Sequence, residues 1–167
     1  MSVLSKRLTW RTRTWYGLPT TITVSTSNMH KVQADRVTLP HPGVVNTVVR
    51  AGLPWSTRLA LTAQHELGHL QTLPVPVAHS LLLWVLRPRR NGGRMRRWAW
   101  GLLAHQAVWE VAAEGYVLFA DRRAWHAPRP RWARVLYGAF WVAMMLLGLK
   151  STYEAVRSSP FSAAGES

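Results

Sequence analysis

Hydrophobic positions recur at helical spacing along most of the chain after residue 54. In the segment 55–72, leucine and alanine repeat every three or four residues, at Leu59, Ala63, Leu67 and Leu70, which is the period of an amphipathic α-helix. Prolines lie just before and just after this segment and limit it. Apolar patterns of comparable length predict three further helices, over residues 75–86, 98–123 and 131–156.

The first third of the chain has a different pattern. Residues 20–25 and 44–49 are rich in Thr and Val, the β-branched residues typical of strands. A Pro- and Gly-containing stretch between them predicts a turn. The fold class that follows is α+β, with a small N-terminal β-sheet beside a mainly helical part.

Length and composition favour a single domain over residues 1–167. Within it we predict a basic N-terminal arm over residues 1–19 and a flexible tail over residues 158–167. Because the chain has no cysteine, disulfides and thiolate metal sites are excluded. The N-terminal stretch is basic and lacks the apolar core of a signal peptide, so we expect a cytoplasmic location.

Apolar segments raise the question of a membrane. Residues 73–86 and 135–149 are apolar almost throughout, but both are shorter than the ~20 residues that span a bilayer. The segment 98–120 is long enough but contains a histidine and two glutamates. We therefore expect these helices to be buried in a compact protein or to lie against a membrane surface. Spanning by residues 135–149 is the alternative.

The run His65-Glu66-Leu67-Gly68-His69 points to metal chemistry. Residues four apart lie on the same face of a helix, so both imidazoles can reach one metal ion. The carboxylate of Glu66 points partly aside and can act on a metal-bound water. This is the H-E-x-x-H pattern of zinc peptidases.

A catalytic zinc site needs a third protein ligand. The metzincin pattern is excluded because Thr72 and Val75 stand where it requires Gly and His. The chain has only 7 acidic residues against 21 Lys and Arg, yet Glu110 and Glu114 lie one turn apart in an apolar segment. Two carboxylates on one stripe favour a positive partner such as Zn²⁺. We interpret Glu110 as the ligand, and Glu114 as the acceptor of a hydrogen bond from the outer nitrogen of a ligand histidine.

Other interpretations of these residues stay open from the sequence alone. Glu110 and Glu114 can instead face water and pair with arginines, for which the candidates are Arg96, Arg97 and Arg122. The third ligand has alternatives in His105, Asp121 and His126. Asp121 also has a simpler interpretation, as a helix cap or a partner of Arg122 or Arg123.

The H-E-x-x-H run, followed by Glu110-Val111-Ala112-Ala113-Glu114, resembles the gluzincin peptidases of M48 type and the small minigluzincins. Those families pair the motif with a downstream Glu-x-x-Ala-Asp-like segment. The resemblance implies that Glu110 is the third zinc ligand and that Glu114 supports a ligand histidine, although Glu stands where Asp is usual. It also implies an edge strand that pairs with the substrate backbone, for which residues 44–49 are the candidate.

The predicted function is therefore that of a zinc metalloendopeptidase. His65, His69 and Glu110 bind Zn²⁺, and Glu66 acts as general base on a metal-activated water that attacks a peptide or protein substrate. A further donor stabilises the transition state, and its candidates are His105, Tyr116, His126 and Tyr137.

A formal net charge of +14 adds a second hypothesis. Arginines cluster over residues 87–97 and 122–134, interleaved with tryptophans. This pattern suits an anionic membrane surface and also nucleic acid, although no nucleic-acid-binding motif is visible and that partner is not favoured. The alternative function is a basic protein that binds such a partner and in which the H-E-x-x-H run is a structural or vestigial metal site.

Overall fold

The fold is described from a computed structural model that covers residues 9–24, 31–33, 35–39, 48–87 and 93–159. The chain divides into two compact units. The first, here called the sheet unit, comprises residues 1–71 and 113–137. The second, the helical unit, comprises residues 72–112 and 138–167. This division into compact units does not test the prediction of a single domain, which stays a prediction.

The sheet unit contains a four-stranded sheet. Its strands are β1 (Thr9–Arg13), β2 (Pro19–Val24), β3 (Lys31–Gln33) and β4 (Arg36–Leu39), in the order β1-β2-β4-β3. The central pair β2 and β4 is parallel, and both outer pairs are antiparallel. The strand expected over residues 20–25 is thus present as β2, and the α+β class is confirmed.

The structure adds detail to one sequence prediction in this region and corrects another. The basic N-terminal arm predicted over residues 1–19 includes strand β1, which pairs along its whole length with β2. The strand predicted over residues 44–49 is absent from the described part of that range, because Val48–Arg50 forms a 3₁₀ turn. The rest of that prediction, residues 44–47, lies outside the described residues. Val-rich sequence favours a strand only where a neighbouring strand is available for pairing.

Five helices are described: α1 (Trp55–Gln71), α2 (Pro74–Val85), α3 (Gly93–Ala120), α4 (Arg123–His126) and α5 (Arg131–Arg157). Helices α1, α2 and α5 agree with the predicted ranges to within one residue at each end. Helix α3 starts five residues earlier than predicted and ends three residues earlier, and the short helix α4 follows.

The core of the sheet unit lies between the sheet and α1. Alternate residues of β2 and β4 face the helix, and among them Ile22, Val37 and Leu39 are almost fully buried. They pack against Ala63, Leu67 and Leu70 of α1, the same apolar stripe that predicted the helix. Burial of this stripe fixes the rotation of α1 about its axis and so determines where its histidines point.

The turn between β1 and β2 holds the end of α1. Gly17 has a φ of 89°, in the left-handed region that favours glycine. The Trp15 indole donates to the backbone carbonyl of Gln71 at 2.7 Å, and the Tyr16 hydroxyl donates to that of Leu70 at 2.7 Å. These bonds satisfy carbonyls that have no partner within the helix, and they hold its last turn in place.

The helical unit is built from α2, the first part of α3 and most of α5. Helix α5 is long and apolar enough to cross a membrane, and only 17% of its most apolar stretch is buried. The sequence interpretations of this segment, which were burial in a compact protein, contact with a membrane surface, or spanning, stay predictions. The predicted tail begins with Ser158 and Ser159, which are buried and continue the hydrogen bonding of α5. Residues 160–167 lie outside the described residues.

Candidate metal centre

The two histidines of the H-E-x-x-H run lie together near the end of α1. Their rings meet edge to face, with centroids 4.8 Å apart and an interplanar angle of 84°. His69 and the intervening Glu66 are each 7% exposed, and the His65 side chain is 13% exposed. The arrangement follows from helix geometry, which brings residues i and i+4 to one face.

Glu110 of α3 completes a group of three potential ligands. One ligand atom each from His65, His69 and Glu110 lies within 4.8 Å of the other two. Glu110 also accepts a hydrogen bond from the Gln106 side chain at 3.0 Å, one turn earlier on the same helix. Two imidazole nitrogens and a carboxylate oxygen at this spacing could bind a metal ion.

Glu114 lies one turn further along α3 and is 1% exposed. Its Oε2 is 2.8 Å from Nδ1 of His65. Because the ionised carboxylate can only accept a hydrogen bond, it selects the tautomer of His65 with the proton on Nδ1. The unprotonated Nε2 then lies on the far side of the ring from Glu114, as in metal sites where an outer carboxylate orients a histidine ligand. The Tyr137 hydroxyl donates to the other oxygen, Oε1, at 2.6 Å.

A buried arginine pairs with the same carboxylate. Arg50 is 3% exposed and donates to both oxygens of Glu114, at 2.7 Å and 2.8 Å. It also donates to the Leu61 carbonyl on α1 at 3.2 Å. A two-point arginine–carboxylate pair fixes orientation as well as charge. The predicted pairing of Glu114 with Arg96, Arg97 or Arg122 is thus replaced by pairing with Arg50.

These contacts keep Glu114 ionised. Burial raises its pKa, but the hydrogen bonds from His65 and Arg50, together with the positive charge of Arg50, outweigh burial and lower the pKa to about 2. The carboxylate therefore stays an acceptor for His65 at neutral pH.

Arg129 adds a second buried cation near this network. It is 7% exposed, and its guanidinium carbon lies 4.3 Å from the centroid of the Tyr137 ring. Burial lowers its pKa. Within the described residues its Nε and Nη2 atoms have no hydrogen-bond partner. This cation–π contact helps to hold the Tyr137 ring, whose hydroxyl donates to Glu114.

Close helix packing supports the centre. A Cβ at Gly68, between Leu67 and His69, would lie 2.6 Å from the Ala113 carbonyl oxygen and 3.1 Å from its Cα. Only glycine permits α1 to approach α3 this closely. Gly68 precedes His69 and Ala113 precedes Glu114, so the close approach brings the two motifs together.

The other residues proposed from the sequence lie elsewhere. His105 contacts His79 in the helical unit, with 3.3 Å between their Nδ1 atoms. Asp121 pairs with Arg123, as its simpler interpretation predicts. His126 is an exposed residue of α4, and Tyr116 packs against the sheet core. Of these four, none belongs to the metal group found among the described residues.

The sequence interpretation missed Arg50 and Arg129. Arg50 follows a Val-rich run, and Arg129 lies in a segment counted with the arginine clusters. A lone arginine in an apolar surrounding is the signal that singles out Arg50, since such a residue is rarely buried without an acidic partner.

Comparison with known proteins finds no family model, no curated protein and no solved structure that matches the chain.

Proposed function

We propose that the protein is a zinc-dependent peptidase of gluzincin type, related in mechanism to the M48-like enzymes and minigluzincins. The observation that carries the proposal is the convergence of His65, His69 and Glu110, with Glu66 next to the first ligand. A catalytic zinc site has three protein ligands and leaves the fourth position to water, whereas a structural site has four protein ligands.

The donor set suits zinc. Imidazole nitrogen and carboxylate oxygen are common Zn²⁺ ligands, and the contact between Glu114 and His65 resembles the outer support of such sites. Bound there, zinc would polarise a peptide carbonyl and lower the pKa of a water molecule.

Glu66 is assigned the proton transfers. It is a buried carboxylate that directly precedes Leu67 of the apolar stripe and follows a ligand histidine. It accepts a proton from the attacking water and returns it to the nitrogen of the departing amine.

Tyr137 is assigned a supporting role. The sequence made it a candidate for transition-state stabilisation, but its hydroxyl donates a hydrogen bond to Glu114. That bond orients the carboxylate and, through it, His65. No donor to the oxyanion is assigned, because His105, Tyr116 and His126 lie outside the metal group found among the described residues.

The substrate-pairing strand is assigned to β3. Helix α1 contacts β3 and β4, and β3 is the edge strand of that pair. An extended peptide can add to such an edge through main-chain hydrogen bonds. This assignment replaces the one made from the sequence to residues 44–49.

The test uses Glu66→Gln with Glu154→Gln as the matched control on α5. Hydrolysis of a fluorescently labelled unfolded protein should fall at least about a hundredfold in Glu66→Gln, because a general base is lost. Zinc content should not change in either variant, and Glu154→Gln should hydrolyse like the wild type. Equal hydrolysis by Glu66→Gln and wild type would contradict the assignment of the base.

The same measurements separate the alternative function. A wild-type protein that binds zinc in stoichiometric amount but hydrolyses no peptide would favour a structural metal site in a binding protein. Loss of activity with a chelator and its return with added zinc would favour the enzyme.

A further inference from the structure

The helical unit carries its large apolar side chains on the outside. Leu81, Leu103, Leu146 and Leu149 are each about 60% exposed or more, and Trp84 is 72% exposed. Most of the exposed large hydrophobic side chains among the described residues belong to this unit. Soluble proteins expose apolar residues singly and seldom over one continuous surface.

Small residues line much of the inside of the same unit, beside the buried Leu83 and Leu86. Gly101, Ala104 and Ala107 on α3 are buried, and so is Ala155 on α5. A Cβ at Gly101 would lie 2.6 Å from a methyl of Leu83 and 2.9 Å from Cβ of Ala155. Helices pack through small residues in this way inside a lipid bilayer. Lipid tails are as apolar as leucine, so the burial of large apolar side chains between the helices contributes little to their association there.

Polar side chains are also found inside. His79 on α2 is 9% exposed and lies 3.3 Å from His105 on α3, measured between Nδ1 atoms. Its Nε2 is 3.2 Å from the Thr152 hydroxyl on α5. Polar groups thus link the three helices internally while most leucines of the unit, other than the buried Leu83 and Leu86, face outward. This is largely the reverse of the distribution in a water-soluble bundle.

One end of the helical unit is basic and aromatic. Helices α3 and α5 run antiparallel there, since Gly101 approaches Ala155 and Gly148 approaches Val108. The start of α3 and the end of α5 therefore lie at the same end, near the end of α2.

This end displays exposed arginines, namely Arg87, Arg96 and Arg157. Trp84 and Trp100 are exposed beside them, and the Arg87 guanidinium lies over the Trp98 ring. Arginine and tryptophan together are typical of the interface between lipid headgroups and hydrocarbon.

We propose that the helical unit is inserted in a lipid bilayer, that α5 crosses the hydrocarbon layer, and that the basic end contacts anionic headgroups. The part of α5 in this unit, residues 138–157, is about 30 Å long, which matches the ~30 Å hydrocarbon core. Lys150 lies two turns from the end of α5, so its long side chain reaches toward the headgroups.

The low burial of α5 argues against an ordinary soluble core. A core helix would be mostly buried, whereas 17% of the most apolar stretch of α5 is buried. An open groove of about 420 Å³ in the same unit is lined almost wholly by apolar side chains, among them Val108, Val111 and Met144. Lipid chains fill such a groove without the cost of wetting it.

Single-cysteine labelling tests the proposal, because the chain contains no cysteine of its own. Leu146→Cys places a thiol on α5 in the helical unit, and Phe119→Cys places one at a 93% exposed position of the sheet unit as the matched control. The full chain is reconstituted in vesicles of phosphatidylcholine and phosphatidylglycerol and treated with a water-soluble maleimide. Labelling at position 146 should be at least about tenfold slower than at position 119, since the reactive thiolate needs water.

Flotation and sedimentation show whether lipid or a second copy of the chain covers the apolar surface. The wild-type protein should float with the vesicles after an alkaline wash that removes proteins bound by charge alone. Equal labelling rates at the two positions in vesicles would overturn the proposal. So would a chain that, free of detergent and lipid, sediments as a dimer with position 146 protected, because a second copy would then cover the surface.

Discussion

At the residue scale, the candidate centre depends on one buried carboxylate with four neighbours. Glu114 receives hydrogen bonds from Arg50 and Tyr137, contacts His65, and lies on the same face of α3 as Glu110. A buried carboxylate without cationic partners would take up a proton and lose its value as an acceptor. Arg50 therefore acts on the metal group through Glu114 and His65.

Arg50→Leu should be strongly destabilising, because it leaves the charge of Glu114 buried without its main partner. We expect the free energy of unfolding to fall by about 3–5 kcal/mol, measured by urea denaturation of the metal-free protein. Zinc affinity should fall by about 10- to 100-fold, since His65 loses its fixed orientation.

The double variant Arg50→Leu/Glu114→Leu is the control for that prediction. Removing both charges should restore part of the lost stability but none of the zinc affinity. A single variant as stable as the wild type would contradict the structural role of the ion pair.

Asp121 gives a pH-dependent prediction away from the metal group. Hydrogen bonds from Arg123 lower its pKa below the ordinary value, and the Arg123 backbone N–H at the start of α4 also donates to it. Asp121→Asn should lower the free energy of unfolding by about 1 kcal/mol at neutral pH. A carboxylate with a lowered pKa stabilises the fold above its unfolded-state pKa and loses that effect as the pH falls through the folded-state value. The difference between variant and wild type should therefore shrink in acid, and a constant difference down to the lowest accessible pH would contradict the ion pair.

Relations between individual residues could be predicted from the sequence where their spacing along one helix determines them. The four-residue spacing of His65 and His69 and the one-turn spacing of Glu110 and Glu114 are properties of a helix, so the sequence contains them. Arg50 contacts Glu114 across 64 positions. No local pattern determines such a contact, because it depends on how the chain folds between the two residues.

At the element scale, the approach of α1 to α3 governs the geometry of the centre. The absence of a side chain at Gly68 lets the backbone of Ala113 come close, and the apolar stripe of α1 fixes the rotation of the helix against the sheet. An added methyl group at this contact would push the two helices apart. The candidate ligand atoms would then move by more than metal coordination tolerates.

Gly68→Ala tests this packing, with Gly115→Ala on α3 as the matched control. A Cβ at Gly115 meets nothing within 4 Å, so alanine there should stabilise the helix by up to about 1 kcal/mol. Alanine at position 68 should lower the free energy of unfolding by about 1–3 kcal/mol and weaken zinc binding, because the helices must separate. Thermal denaturation with and without zinc measures both effects, and equal behaviour of the two variants would contradict the close approach.

Elements were predictable to the extent that periodicity defines them. Helices α1, α2 and α5 follow clear apolar patterns and stops, so their limits were predicted closely. Strand β1 is basic and polar, with no alternation of apolar residues, and it exists because β2 pairs with it. Helix α3 begins within an arginine-rich stretch that looked like a loop, although arginine and methionine favour helices.

At the scale of the whole molecule, the two units differ in how they distribute apolar residues. The sheet unit has an ordinary core of Ile22, Val37, Leu39 and the stripe of α1. The helical unit buries small and polar residues together with Leu83 and Leu86, and it exposes most of its large apolar side chains. Apolar segments are visible in the sequence, but which of their faces is covered depends on packing between distant helices, so the contrast emerges only from the structure.

The most direct test of the metal centre is the zinc content of the purified protein, measured by mass spectrometry for the wild type, Glu110→Gln and His126→Asn. The wild type and His126→Asn should each retain stoichiometric zinc after dialysis, because His126 lies outside the group of His65, His69 and Glu110. Glu110→Gln should lose it, since the neutral amide replaces a charged ligand. A wild-type chain without metal, or a Glu110→Gln chain with its zinc intact, would contradict the proposed centre.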